Sequence, residues 1–198
     1  MKKKNLLMTA FAFAAFSGQG HATEAGPGYF GLSFGHAEVK DFCEGGYRSC
    51  DDTAFTGRIY GGLDLNGYTA LELGYRYMDE VEVSGSYQGA LVEVESAGHF
   101  VDATLQLGVP QSGPFQVFAK AGALYWILEH KAKASSGSLS ASASDDDDGM
   151  AFQTGIGARY ELSDDISLRA DWDYLVDIGA DDAETDIQVF SFGPEVRF

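Results

Sequence analysis

The chain has 198 residues, with 30 acidic side chains against 13 basic ones and a net charge of −17. A surface that acidic carries no electrostatic footprint for nucleic acid. Beyond the first two dozen residues no apolar run reaches the ~18 residues a helical span requires. That excludes a helical anchor but not a membrane barrel, whose strands are only half apolar.

The opening stretch "MKKKNLLMTAFAFAAFSGQGHA" has the three parts of a secretory signal. Lys2, Lys3 and Lys4 form its basic region, Leu6 to Phe16 its short apolar run, and Gly20 and Ala22 the small residues before a cut after Ala22. Residues 1–22 are therefore expected to be removed, leaving one domain over 23–198. Export places Cys43 and Cys50 of "CEGGYRSC" in an oxidising compartment, where a close pair reads as a disulfide and not as a metal site.

From residue 29 onward the chain alternates. Tight turns are expected at 64–67, 110–114 and 161–165, and longer polar loops at 38–53, 79–96, 129–149 and 177–187. Between them lie eight predicted strands, near residues 29–37, 54–63, 68–78, 97–109, 115–128, 150–160, 166–176 and 188–198. Tight turns at one end and long loops at the other describe an all-β, eight-stranded antiparallel up-and-down barrel that crosses a membrane. The stretch "KASSGSLSASASDDDDG" reads as a mobile loop tip.

Each strand has one apolar parity, as in Phe30, Leu32 and Phe34 or Phe190, Phe192, Pro194, Val196 and Phe198. The other parity carries Arg58, Arg76, Lys120, Arg159, Arg169 and Arg197 against Glu72, Asp102, Asp171, Asp173 and Glu195, with glycines interleaved. A soluble carrier barrel would turn the apolar parity inward. Glycine on a solvated strand face packs nothing, whereas inside a narrow barrel it leaves room for long side chains. Tyr75, Tyr77, Tyr125, Trp172 and Tyr174 near the long-loop ends, and Leu63, Tyr160 and Phe198 near the turns, form two interfacial belts. The apolar parity is expected to meet lipid. Pro194 removes a ladder donor within the last strand, and a bulge is expected there.

The stretches "GGLDLNGYTALELGYRY", "VDATLQLGVP", "ARYELSDDISLRADWDY" and "SFGPEVRF" resemble the transmembrane barrel of OmpA-like outer-membrane proteins. The resemblance implies an outer-membrane location. It also implies that Phe198 is part of the signal read by the outer-membrane assembly machinery, and that Glu72 and Arg169 belong to a lumenal ion-pair plug. Ser33 and Gln106 stand where the family pattern has lysines, and Arg159 where it has an acid, so a rearranged network is expected. A second, peptidoglycan-binding domain is not expected, since the chain stops at the barrel.

A charge left alone in a narrow lumen costs several kcal/mol, on the order of what a partner offsets. Arg58, Glu72, Asp102, Arg159, Arg169 and Asp171 are therefore expected to form a paired network. Asp145 to Asp148 lack the spaced ligands of a calcium loop and read as a solvated acidic run. No serine stands in a recognisable motif with His36, His99 or His130, so no catalytic residue is assigned, and no cofactor or metal. The expectation is a monomeric, non-enzymatic barrel in contact with outer-membrane lipid and lipopolysaccharide, with a structural role in the envelope and acidic loops outside. The alternatives are a low-conductance porin for small solutes or cations and a surface adhesin or receptor.

Overall fold

A computed structural model describes residues 28–43, 48–87, 90–109, 113–136, 139–180 and 184–198; the expected signal segment lies outside them. The strands are β1 (Gly28–Val39), β2 (Ser49–Asp51), β3 (Thr53–Asn66), β4 (Thr69–Tyr87), β5 (Ala90–Gly108), β6 (Phe115–Ser136), β7 (Leu139–Glu161), β8 (Ile166–Ile178) and β9 (Thr185–Arg197). All pairings are antiparallel. Among the described residues β2 pairs with β4 alone, and the other strands close into a ring through β4–β5 and β1–β9. The backbone of Gly28 seals the seam by exchanging hydrogen bonds with Phe198 at 2.9 and 3.0 Å. Closure removes the sheet edges that hydrocarbon could not satisfy.

The apolar parity points outward. Phe192 is 63 % exposed and Phe152 72 %, while Glu72 on the other parity is fully buried. Of the outer aromatic belt, Tyr75, Tyr77, Tyr125 and Trp172 are exposed, and Tyr174 is half-buried against Asp186. The exterior is a lipid-facing surface, and the charged parity fills the lumen.

The structure corrects three sequence expectations. The described residues of the stretches read as loops at 79–96 and 129–149 are strand: β4 and β5 continue to Tyr87 and Ala90, and β6 and β7 to Ser136 and Leu139. The segment taken for a mobile tip is paired from Ser136↔Leu139 down to Ile127↔Asp148. The cause is a period-2 pattern hidden by polarity. Val81, Val83, Val92, Val94, Ala132 and Ala134 share one face, and Glu82, Glu93, Glu95, Lys131 and Lys133 the other. Second, β2 adds a short ninth strand inside the expected first loop, pairing Cys50 with Val83. Third, Pro194 makes no bulge. Its strand keeps register with β1 from Gly31↔Glu195 to Phe34↔Phe192, and only the rungs between are unpaired. Gly193 allows that closeness, since a Cβ there would lie 1.9 Å from the carbonyl oxygen of Leu32.

Candidate functional site

The lumen is closed by two layers. The first, nearer the tight turns, is ionic. Arg58 on β3 donates through Nη1 to Glu72 Oε1 at 2.9 Å and through Nη2 to Asp102 Oδ1 at 2.5 Å. Arg169 on β8 reaches Glu72 at 2.5 Å, Asp171 at 2.8 Å and Glu195 at 3.3 Å. Arg159 on β7 lies 2.6 Å from Glu195. These contacts link the six residues named above into one cluster, with Glu195 joining Arg159 to it. Lys120, 2.7 Å from both Asp171 and Asp173, extends the cluster, and Arg76 pairs with Asp173.

Period-2 alternation brings them together: each lies on the inward parity of its own strand, at similar depth. Small residues make the space. A Cβ on Gly74 would sit 2.6–2.7 Å from the Arg58 guanidinium and the Asp102 carboxylate. The aromatic rings of the lumen cover the guanidinium faces, with Arg169 4.4 Å from the Tyr60 ring centroid and 4.8 Å from that of Phe118. Such stacking is attractive, more so where water is excluded.

Glu72 is the most connected acid. Besides its two arginines it accepts from Tyr29 at 3.0 Å and from Gln106 at 2.5 Å. Gln106 thus serves Glu72 as a neutral donor, while Arg159 balances Glu195 and bonds Gln116 at 2.8 Å. Ser33 is buried in the same lumen.

The second layer, nearer the long hairpins, is apolar. Ala37, Val39, Met78, Phe100, Leu124, Trp126, Leu128, Leu175, Ile187 and Val189 pack there as one cluster, each buried. Sequence reading missed it by following only the outward parity. The signal was present in "ALYWIL" (123–128), a run apolar on both parities, which a strand shows when both faces are covered.

Beyond this layer the hairpins carry their own polar pairs. Lys131 lies 2.7 Å from Glu80, and Lys133 pairs with Glu95. The hydrogen bonds to these carboxylates hold both ammonium groups above their ordinary lysine values. Cys43 and Cys50 form a disulfide with Cα atoms 5.7 Å apart, tying β2 to the end of the β1 turn. His99 bonds Tyr75 at 2.8 Å on the outward face, and His36 stands over Phe190. His130 is placed unexpectedly: its Nδ1 is 2.7 Å from Ser96 Oγ and its Nε2 3.7 Å from Asp147. Strand register produces that contact, since Ser96 faces His130 directly across β5–β6. Among the described residues no group of three or more His, Cys, Asp or Glu side chains is arranged to hold a metal ion.

A closed ring of strands with a lipid-facing exterior and an ionic lumen matches a family model described as the OmpA-like transmembrane domain, over residues 24–198. The chain belongs to this family. Outer membrane protein A of Shigella flexneri is 25% identical over 204 residues, covering 99% of this chain and 56% of the relative. That of Salmonella typhi is 24% identical over 206 residues, covering 99% and 55%. The OmpA-like chain thus spans about half the length of these relatives. Among solved structures, a major outer membrane protein from Thermus thermophilus aligns with a TM-score of 0.57 at 14% identity, over 86% of this chain and 99% of that one. Ail, the attachment invasion locus protein of Yersinia pestis, aligns with a TM-score of 0.51 at 18% identity, over 86% and 99%. Both share the fold. This OmpA-like protein is an integral β-barrel of the outer membrane.

Proposed function

We propose that this OmpA-like barrel is a non-conducting structural element of the outer membrane, with its tight turns toward the periplasm and its acidic hairpins outside. The observation that carries this reading is the double closure of the lumen. An ionic layer alone could exchange partners and admit water. The apolar layer above it, from Met78 and Phe100 through Leu124 to Val189, leaves hydrated ions nothing to bind and resists wetting.

The alternative, a small-solute or cation pore, requires both layers to open. Planar-bilayer recording of the refolded protein decides between them. A silent membrane is expected from the wild type and from Leu124→Ala alone. Discrete cation-preferring openings in the wild type, altered by Arg169→Ala, would make the ionic layer a gate.

We further propose that the barrel is monomeric and non-enzymatic, embedded among outer-membrane lipids including lipopolysaccharide. The Ser96–His130 contact is read as a cross-strand hydrogen bond, with Asp147 at 3.7 Å from Nε2, beyond hydrogen-bond range. Ser96 pairs with Val81 on one side and His130 on the other, so its backbone is occupied by the ladder on both flanks. An acyl-transfer site would need free N–H donors beside the serine for the oxyanion. A fluorophosphonate probe is expected to leave Ser96 unlabelled, and labelling abolished by His130→Ala would overturn this reading.

A further inference from the structure

Above the barrel the four longest strands form a sheet of their own, in the order β4–β5–β6–β7. One margin is partly covered, where β2 lies along β4 from Glu82 to Ser84. The other margin is different. β7 begins at Leu139, yet its pairing with β8 extends only to Phe152↔Val176. From Ser140 to Asp148 the strand is bonded to β6 on one side and, among the described residues, to no strand on the other. Nine residues at ~3.3 Å each make a template about 30 Å long, offering N–H and C=O groups at every second residue.

The residues along this edge select what can pair with it. Ser140 to Ser144 alternate serine with alanine and leave space on both faces, with no bulky side chain to obstruct a neighbour. Asp145, Asp146, Asp147 and Asp148 follow immediately, on alternating faces. A second copy standing the same way in the membrane would bring its β7 alongside in parallel and set aspartates beside aspartates, and like charges so close repel. The run thus guards the edge against self-association while attracting the opposite charge.

We propose that the open edge of β7, Ser140–Asp148, is a docking site for an extended basic segment of another protein, which adds to the sheet as a further strand. Main-chain hydrogen bonds supply the pairing, and lysines or arginines opposite Asp145–Asp148 supply the selection. The site lies outside the lumen and is independent of whether the barrel conducts.

The test uses the full protein in lipid nanodiscs and three twelve-residue peptides. The first alternates lysine with threonine; the second keeps the lysines but has proline in place of every threonine; the third alternates glutamate with threonine. Titration calorimetry is expected to show saturable binding of the first peptide, at least tenfold weaker binding of the proline peptide and none of the glutamate peptide. Amide exchange should slow within 140–148 on binding the first. Asp145→Lys combined with Asp146→Lys, on an exposed strand that the barrel does not need for closure, brings the charge of the run to zero and should weaken binding of the first peptide at least tenfold. Equal affinity for the proline peptide would reduce the effect to charge attraction and overturn strand addition. Protection confined to other segments would overturn the site.

Discussion

Around Glu72 the lumen is filled by guanidinium, ammonium and carboxylate groups. Around Leu124, a few residues further along the same strands, it is filled by aliphatic and aromatic side chains. Both layers exclude water from a narrow cylinder, but they do so with opposite tolerances. In the ionic layer each group was stripped of solvent and is held by named partners, so one deletion strands a charge that cannot be rehydrated. In the apolar layer contacts are non-directional, and a deletion leaves a void whose cost depends on how far its neighbours close in. The first layer is therefore the more specific and the more fragile, the second the better barrier to ions.

Removing one member of the ionic layer should have the largest effect. Glu72→Ala leaves Arg58 and Arg169 each short of a carboxylate and is expected to destabilise the barrel by about 3–5 kcal/mol, read from urea unfolding in lipid vesicles. An unchanged midpoint would mean a hydrated lumen instead of a paired one. Leu124→Ala in the apolar layer should cost about 2–5 kcal/mol in the same assay, as core truncations of this kind do. A smaller loss would show that the layer is loosely packed.

Double-mutant cycles sharpen the contrast. Glu72→Gln with Arg169→Gln should show coupling of about 0.5–3 kcal/mol, because the two share a contact. Glu72→Gln with Leu124→Ala should be additive within about 0.5 kcal/mol, because they share no partner. Coupling of equal size in both cycles would erase the distinction between layers. At the small end, Lys131→Ala breaks the exposed pair with Glu80 and should leave the unfolding midpoint where it was.

The inward and outward parities, the ring strands and the charged residues of the lumen were legible because a strand repeats every two residues and the bilayer accepts only one kind of face. Arg58, Glu72, Asp102, Arg159, Arg169 and Asp171 could each be placed inside from their own strand alone. The hairpin extensions were not read, although Val81 and Val83 alternate with Glu80 and Glu82 as cleanly as any spanning segment. Polar composition there resembles that of a loop, and alternation is the better guide. The apolar layer was hidden for the converse reason, since a run such as Leu124 to Leu128 has no contrast between its faces.

Sequence by itself therefore determined that this chain is a membrane barrel and which side chains enter its lumen, since local period and the demands of hydrocarbon act one strand at a time. Only the tertiary structure decided that Glu72 sits between Arg58 and Arg169, that Arg159 answers Glu195, that Ser96 meets His130 and that β7 outruns β8 to leave an open edge. Those pairings depend on the register between strands and on how far each extends past its neighbour. Both are fixed by closing the whole ring at once, a condition no single stretch of chain contains.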